Sequence, residues 1–398
     1  MTNYLLTDPQ TFSKVLFEKM KQIQPGIADL EWYEFQYCLD NVTPKEGWES
    51  VVIEPEKYIE AMVNDSQFYT SIQLRPYQGN RMVMDEKILR LLQMLFTGLV
   101  TEQYTSEWVT RHFTFDVRGF YFIHRTEYFT DKSRVHLGGK PFRQFDEKQK
   151  NLEHQQGISY KAFKTANAEV DECFLDLIQK LTDRRGGSSM IAIAGQTAAG
   201  KTEITARLCE AFTQAGKEIT SIEMDNFFTD RDYREAKGID SLGKEALHYE
   251  LLQQCLKDIC QGKKITTPRY NFIQATSSHT LDGKLKEGCI PVEIEPADII
   301  FMEGNFPFLL TEIAPLINIK VLYLTADDIR LKRKWKRDMD YRKKYELMYF
   351  LNRYFREQYL MAEQAYIPQM EICDVLVDTT HAAIWVTPEI ARIVEKME

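Results

Sequence analysis

Residues 195–202 read GQTAAGKT, a spacing of glycines, lysine and threonine that suits one task, holding a nucleoside triphosphate. Gly195 and Gly200 let the backbone turn tightly, so that the N–H groups of Gln196, Thr197, Ala198 and Ala199 face phosphate oxygens. Lys201 is expected to reach the β and γ phosphates, and Thr202 to offer its hydroxyl to Mg2+. A short apolar strand, MIAIA, precedes the loop and a helical pattern, EITARLCEAF, follows it. The helix N-terminus then points its positive end at the anion.

A transfer reaction needs more than a phosphate cradle, and in an open α/β sheet the remaining groups belong at the carboxyl ends of neighbouring strands. Two acidic residues stand at such places. Glu303 closes ADIIFMEG and is placed as the second magnesium-side ligand. Asp225 closes SIEMD, ahead of two aromatics, and is placed to accept the proton of a hydroxyl held in line with the γ-phosphate. Between Arg330 and Lys344 nine basic residues stand against two acidic ones. Most of the lysines fit a solvated face, but Arg330, Arg333 and Arg337 share one helix face at i, i+3 and i+7, suited to bidentate phosphate contacts, with Lys334 as an addition. His248 and His279 fit structural positions better than catalytic ones, because this chemistry requires no imidazole.

These groups require a parallel sheet. From residue 190 the chain alternates apolar runs with helical patterns, and the predicted strands are 190–194, 218–224, 298–304, 319–324 and 374–378. The fold class is therefore α/β, a five-stranded parallel sheet flanked by helices. Residues 243–261 predict a helix through Leu247, Leu251, Leu252, Cys255, Leu256 and Ile259, stopped by Gly262. Residues 265–296 predict a hairpin insertion.

The first half reads as a mixed α+β domain, with amphipathic helices over 9–23 and 84–101 and paired strands between Trp108 and Tyr128. Its aromatics fit a core better than a ligand site. The domain reading is 1–150 for this part, 151–185 for a linker and connecting helix starting near residue 160, and 186–398 for the phosphate-loop domain. For residues 1–150 three roles stand as alternatives: binding a regulator, contributing to a homo-oligomer, or covering the acceptor pocket.

Composition sets the boundaries. The chain has 398 residues, 44% of them hydrophobic, and a formal net charge of −9. Its acidity argues against a nucleic-acid or membrane-surface partner. The seven cysteines are scattered, with no paired zinc spacing, and read as reduced thiols. With no secretory start and no run of 18 apolar residues, the expected location is the cytoplasm.

Taken in order, these motifs resemble the uridine kinase and phosphoribulokinase family of P-loop kinases from about residue 190 to 378. GQTAAGKT is similar to the family's Walker A loop, MDNFF to its strand-end Asp and aromatics, and GID to the segment whose Asp, here Asp240, holds ribose hydroxyls. TPRYNF, with Tyr270 and Phe272, resembles the hairpin beside the acceptor, IIFMEGNF the second acidic motif, and IRLKRKWKRD the arginine-bearing lid helix. The resemblance implies an ATP- and Mg2+-dependent transferase acting on a small hydroxyl acceptor, with the 5′-hydroxyl of a nucleoside favoured and Asp225 as general base. Two departures bear on the acceptor. Phe228 stands where uridine kinases have a tyrosine, and the sequence IQAT after Phe272 lacks their base-contacting histidine. Alternatives are a different sugar-like or cofactor-precursor acceptor, and a nucleotide switch with an N-terminal output domain.

Overall fold

The computed structural model describes residues 2–24, 27, 30–65, 67–68, 75–78, 81–83, 85–116, 121–145, 167–239, 243–340 and 361–396. Contacts among them divide the chain into two compact units, and the division falls between Glu127 and Tyr128. The boundary expected near residue 150 therefore moves about a score of residues earlier, because residues 128–145 pack with the second unit.

The first unit is held by aromatic packing. The helix Pro9–Ile23 is capped by Asp8 and started by proline, and buries Phe12, Leu16, Phe17 and Met20. The helix Glu86–Val100, capped by Asp85, buries Ile88, Leu91, Leu92 and Leu95. Phe113–Asp116 pairs antiparallel with Tyr121–His124. Phe12 stacks on Trp48 at 4.1 Å, and Phe96 meets Phe115 and Phe122 edge-on at 5.9 and 5.6 Å. These are the preferred offset and T-shaped geometries, so the aromatics of this stretch form core.

The second unit is built on a seven-stranded sheet. In chain order its strands are β1 (Arg143–Gln144), β2 (Ser189–Gly195), β3 (Ile219–Glu223), β4 (Ile299–Gly304), β5 (Ile319–Leu324), β6 (Val375–Asp378) and β7 (Ala383–Val386). Their order across the sheet is β1-β7-β6-β5-β2-β4-β3. The five expected strands are β2 to β6 and run parallel. Two antiparallel strands, β7 and β1, extend the edge beyond them. Every residue of β2 is buried, as expected of a parallel strand covered on both faces. Ile191 and Ile193 face one core with helices α1 (Ala168–Arg185), α2 (Lys201–Gln214) and α5 (Pro388–Glu395). Ala192 and Ala194 face the other, with α3 (Tyr249–Cys260).

Two expectations change in detail. The helix expected from residue 243 begins at Tyr249, since Leu247 forms an antiparallel bridge with Phe228 and the His248 N–H donates to the Phe227 carbonyl at 2.7 Å. Its stop at Gly262, with φ +77°, agrees with the sequence. The insertion is two short ladders, Ile265–Thr267 with Val292–Ile294 and Tyr270–Asn271 with Thr276–Ser277. Residues 146–166, where the linker and the start of the connecting helix were expected, lie outside the described residues.

Residues 128–145 act as a strap across the β6–β7 side of the sheet. The N–H groups of Phe142 and Phe145 donate to Ile384 and Ala382 at 2.8 Å, the His136 ring contacts the Cys373 carbonyl at 2.7 Å, and Phe129 packs against Trp385. A chain starting at residue 167 is expected to melt about 5 °C or more below one starting at residue 128, on the scale of a few kcal/mol lost from a domain of this size. Equal melting temperatures in calorimetry would show that the strap adds nothing to stability.

Candidate active site

Parallel pairing in register aligns the reacting groups. Glu303 lies opposite Ile193 on β2 and Glu223 on β3, and Tyr323 lies opposite Gly195. The carboxyl ends of β2 to β5 thus form one rim, where ligands bind in open α/β sheets.

At this rim the loop 195–202 leaves β2 and enters α2. The two glycines play different parts. Gly195 is still in the strand, and a Cβ there would lie 2.5 Å from the Tyr323 carbonyl oxygen. The left-handed residues are Ala198, at φ +64°, and Gly200, at φ +107°, the N-cap of α2. The tight turn expected at Gly195 thus occurs three residues later, and Gly195 serves a close approach of neighbouring strands.

Lys201 is half-buried, and its Nζ donates to the carbonyls of Gly195 and Gln196 at 2.8 and 3.1 Å and to Asn305 Oδ1 at 3.2 Å. Burial pulls its proton affinity down, while Asp225 and Glu303 hold it up. The Thr202 hydroxyl donates to Glu303 Oε1 at 3.1 Å. Glu303 is only 8% exposed, and its Oε2 is buried with no hydrogen-bond partner. Burial, reinforced by Glu223 and Asp225 and opposed by Lys201, raises its pKa to about 7. A buried, unpaired carboxylate oxygen beside a threonine hydroxyl fits a hard divalent cation. Among the described residues no cluster of three or more His, Cys, Asp or Glu forms a metal-binding set, so such a cation would draw its other ligands from phosphate and water.

Asp225 is half-buried just beyond β3, with Oδ1 shielded from solvent and lacking a hydrogen-bond partner. Beside it Phe228 meets Tyr270 edge-on at 6.1 Å, and Tyr270 meets Phe272 at 5.1 Å. The Tyr270 N–H donates to Asn226 Oδ1 at 3.2 Å, which ties the insertion to the Asp225 turn. Arg234, not singled out by the sequence, is buried against both rings, 5.1 Å from Phe228 and 5.8 Å from Tyr270, and donates to the Tyr270 hydroxyl at 3.3 Å. Behind them His248 contacts Ser277 Oγ at 3.0 Å, and burial with the nearby His279 pushes its pKa down to about 4. Both histidines are buried. Asp240 lies outside the described residues.

The helix α4 (Asp327–Asp340) carries the three arginines. Arg330 is 1% exposed and donates to the carbonyls of Thr325 at 3.0 Å and Thr197 at 3.3 Å. Arg333 is buried near the Ala199 carbonyl at 3.5 Å. Lys334 pairs with Asp338 at 2.9 Å. Arg337 keeps a buried Nε without a hydrogen-bond partner and lies within electrostatic reach of Lys201. Missed at the sequence level were Asn305, which holds Lys201, and Gln369, whose amide donates to the Asn305 carbonyl at 2.8 Å. Asn305 stands visibly in MEGNF; Gln369 has no local signal.

Residues 190–383 match the Phosphoribulokinase / Uridine kinase family, and the chain is a small-molecule kinase. A uridine kinase of Macrococcus caseolyticus is 29% identical over 158 residues, 39% of this chain and 71% of its own length. A uridine kinase of Lactobacillus helveticus is 29% identical over 47% of this chain and 85% of its own length. A chloroplastic phosphoribulokinase of Chlamydomonas reinhardtii is 32% identical over 28% of this chain and 26% of its own. The solved structure of a possible uridine kinase from Bacillus stearothermophilus covers 43% of this chain and 92% of its own, at 21% identity and a TM-score of 0.30.

The raised pKa of Glu303 has a testable sign. Folding favours the protonated carboxyl, so its contribution to stability is full below the ordinary 4.5 and is lost as pH rises through about 7. With divalent cations chelated at pH 8, Glu303→Gln is expected to melt about 2–4 °C higher than the parent, while phosphate transfer with magnesium falls about 100-fold or more. A variant no more stable than the parent under chelation would remove the buried-charge assignment.

Proposed function

We propose that this kinase transfers the γ-phosphate of ATP, with Mg2+, to the 5′-hydroxyl of a nucleoside. The observation that carries the reading is the presence of two buried carboxylate oxygens without partners, Asp225 Oδ1 and Glu303 Oε2, within electrostatic reach of the half-buried Lys201. One carboxylate accepts a proton and the other serves a cation, which is the division that phosphoryl transfer requires.

The loop N–H groups of residues 196–200 and Lys201 take the triphosphate, whose oxygens replace the carbonyl partners of the ammonium. Thr202 and Glu303 would hold the magnesium, which would supply positive charge to the transferring phosphate. Asp225 orients the accepting hydroxyl and takes its proton as the bond to phosphorus forms. Arg330, Arg333 and Arg337 place positive charge beside the transferred group, and Arg337 has an N–H of its Nε to give. Phe228, Tyr270 and Phe272 form an aromatic wall for the acceptor, and Asp240 is assigned to its sugar hydroxyls.

The relatives named uridine kinase favour a nucleoside. A sugar without a base is the second reading, favoured by Phe228, which presents no hydroxyl to a base, and by the relatives named phosphoribulokinase. Pyrimidine and purine nucleosides and five-carbon sugars, each incubated with labelled ATP, separate the two; transfer confined to sugars would overturn the nucleoside reading. Asp225→Asn is expected to lower kcat about 100- to 10,000-fold, the usual span for a general base, and to leave ATP affinity within about twofold. Turnover near the parent's would show that another group takes the proton.

A further inference from the structure

Residues 128–145 precede the family-matched segment, yet their first residue reaches the phosphate loop through two side chains. The Tyr128 hydroxyl donates to Asp327 Oδ1 at 2.8 Å and accepts from Arg330 Nη2 at 3.3 Å. Asp327 and Arg330 form a buried ion pair of their own, with side chains 5% and 1% exposed. The remaining nitrogens of the same guanidinium donate to the Thr325 and Thr197 carbonyls. Thr197 is the residue before Ala198, whose φ of +64° is uncommon for a side chain with a Cβ.

We propose that Tyr128 is a positioning residue for ATP: it fixes the Asp327–Arg330 pair so that the guanidinium braces the Thr197 carbonyl and holds the left-handed turn of the phosphate loop. Arg330 can orient its planar fork in more than one way around Asp327. A hydroxyl that donates to the carboxylate and accepts from the guanidinium leaves one orientation with every group satisfied. In that orientation Nη1 faces the loop carbonyl, and the turn is closed by the Ala199 N–H donating to the Gln196 carbonyl at 3.1 Å. The strained turn is maintained by surrounding contacts, as such turns require. The inference rests on the kinase reading only in that the loop's ligand is a nucleoside triphosphate.

The test is Tyr128→Phe in the full-length chain, which keeps the ring and removes the hydroxyl. ATP affinity is read by direct titration, independent of acceptor, and compared with thermal melting and, once an acceptor is in hand, with kcat and KM. A bond to a charged partner is commonly worth about a tenfold change in an equilibrium. The expected result is ATP binding about tenfold weaker, an acceptor KM within twofold of the parent's and a melting temperature within about 2 °C. In the Arg330→Lys background, where the braced fork is gone, Tyr128→Phe is expected to cause no further loss of ATP affinity. Unchanged ATP affinity in Tyr128→Phe would overturn the proposal, as would equal losses in both backgrounds. Should Tyr128→Phe melt well below the parent, Asp327→Asn is measured at a temperature where it stays folded, and must weaken ATP binding to a similar extent. If the parent binds ATP but transfers to no acceptor, the function reading fails while this proposal stands or falls on the titrations alone.

Discussion

A partly buried ammonium organises the kinase unit. Removing the charge of Lys201 from water is costly unless oxygens replace the water, and the structure supplies two carbonyls, the Asn305 amide oxygen and the field of two carboxylates. These groups are contributed by the ends of β2, β3 and β4 and the turns that follow them. A one-residue slip between any two of these strands would move a carboxylate to the opposite face of the sheet. Register is therefore a constraint of charge as well as of packing. Burial acts on Glu303 against the pull of Lys201 and raises its pKa to about 7.

What could be read in advance follows from how far apart the cooperating residues are in the chain. The phosphate loop was legible because a strand, a turn and a helix N-terminus must be contiguous to bind phosphate. Asp225 and Glu303 were legible because an acidic residue ending an apolar run stands out. The five parallel strands were legible because burial on both faces leaves unbroken apolar runs. β1 was not, since two exposed residues, Arg143 and Gln144, have no pattern of their own. The arginines of α4 were recognised by spacing, but spacing carries no information about the carbonyls of Thr197 and Ala199 that two of them meet. Gln369 and Tyr128 act on residues more than 60 positions away in the chain, and only the folded structure brings them together.

The acceptor side combines an aromatic wall with a fixed cation. Arg234 lies against Phe228 and Tyr270 and also donates to the Thr229 carbonyl. Its charge stiffens the wall through cation–π contact, and Lys286, paired with Asp230 at 2.8 Å, ties the insertion to the same turn. The wall proposed for the acceptor is thus a surface whose shape is set by the fold.

The small strand β1 bears on how the sheet is made. Without it, β7 would end the sheet with unpaired N–H and C=O groups, the kind of edge on which chains stick to one another. Arg143 and Gln144 cover part of that edge and present polar side chains outward. Synthesis runs from the N-terminus, so this cover leaves the ribosome before β7, the strand it pairs with. The last of the seven strands to emerge thus finds the strand that covers its edge already made.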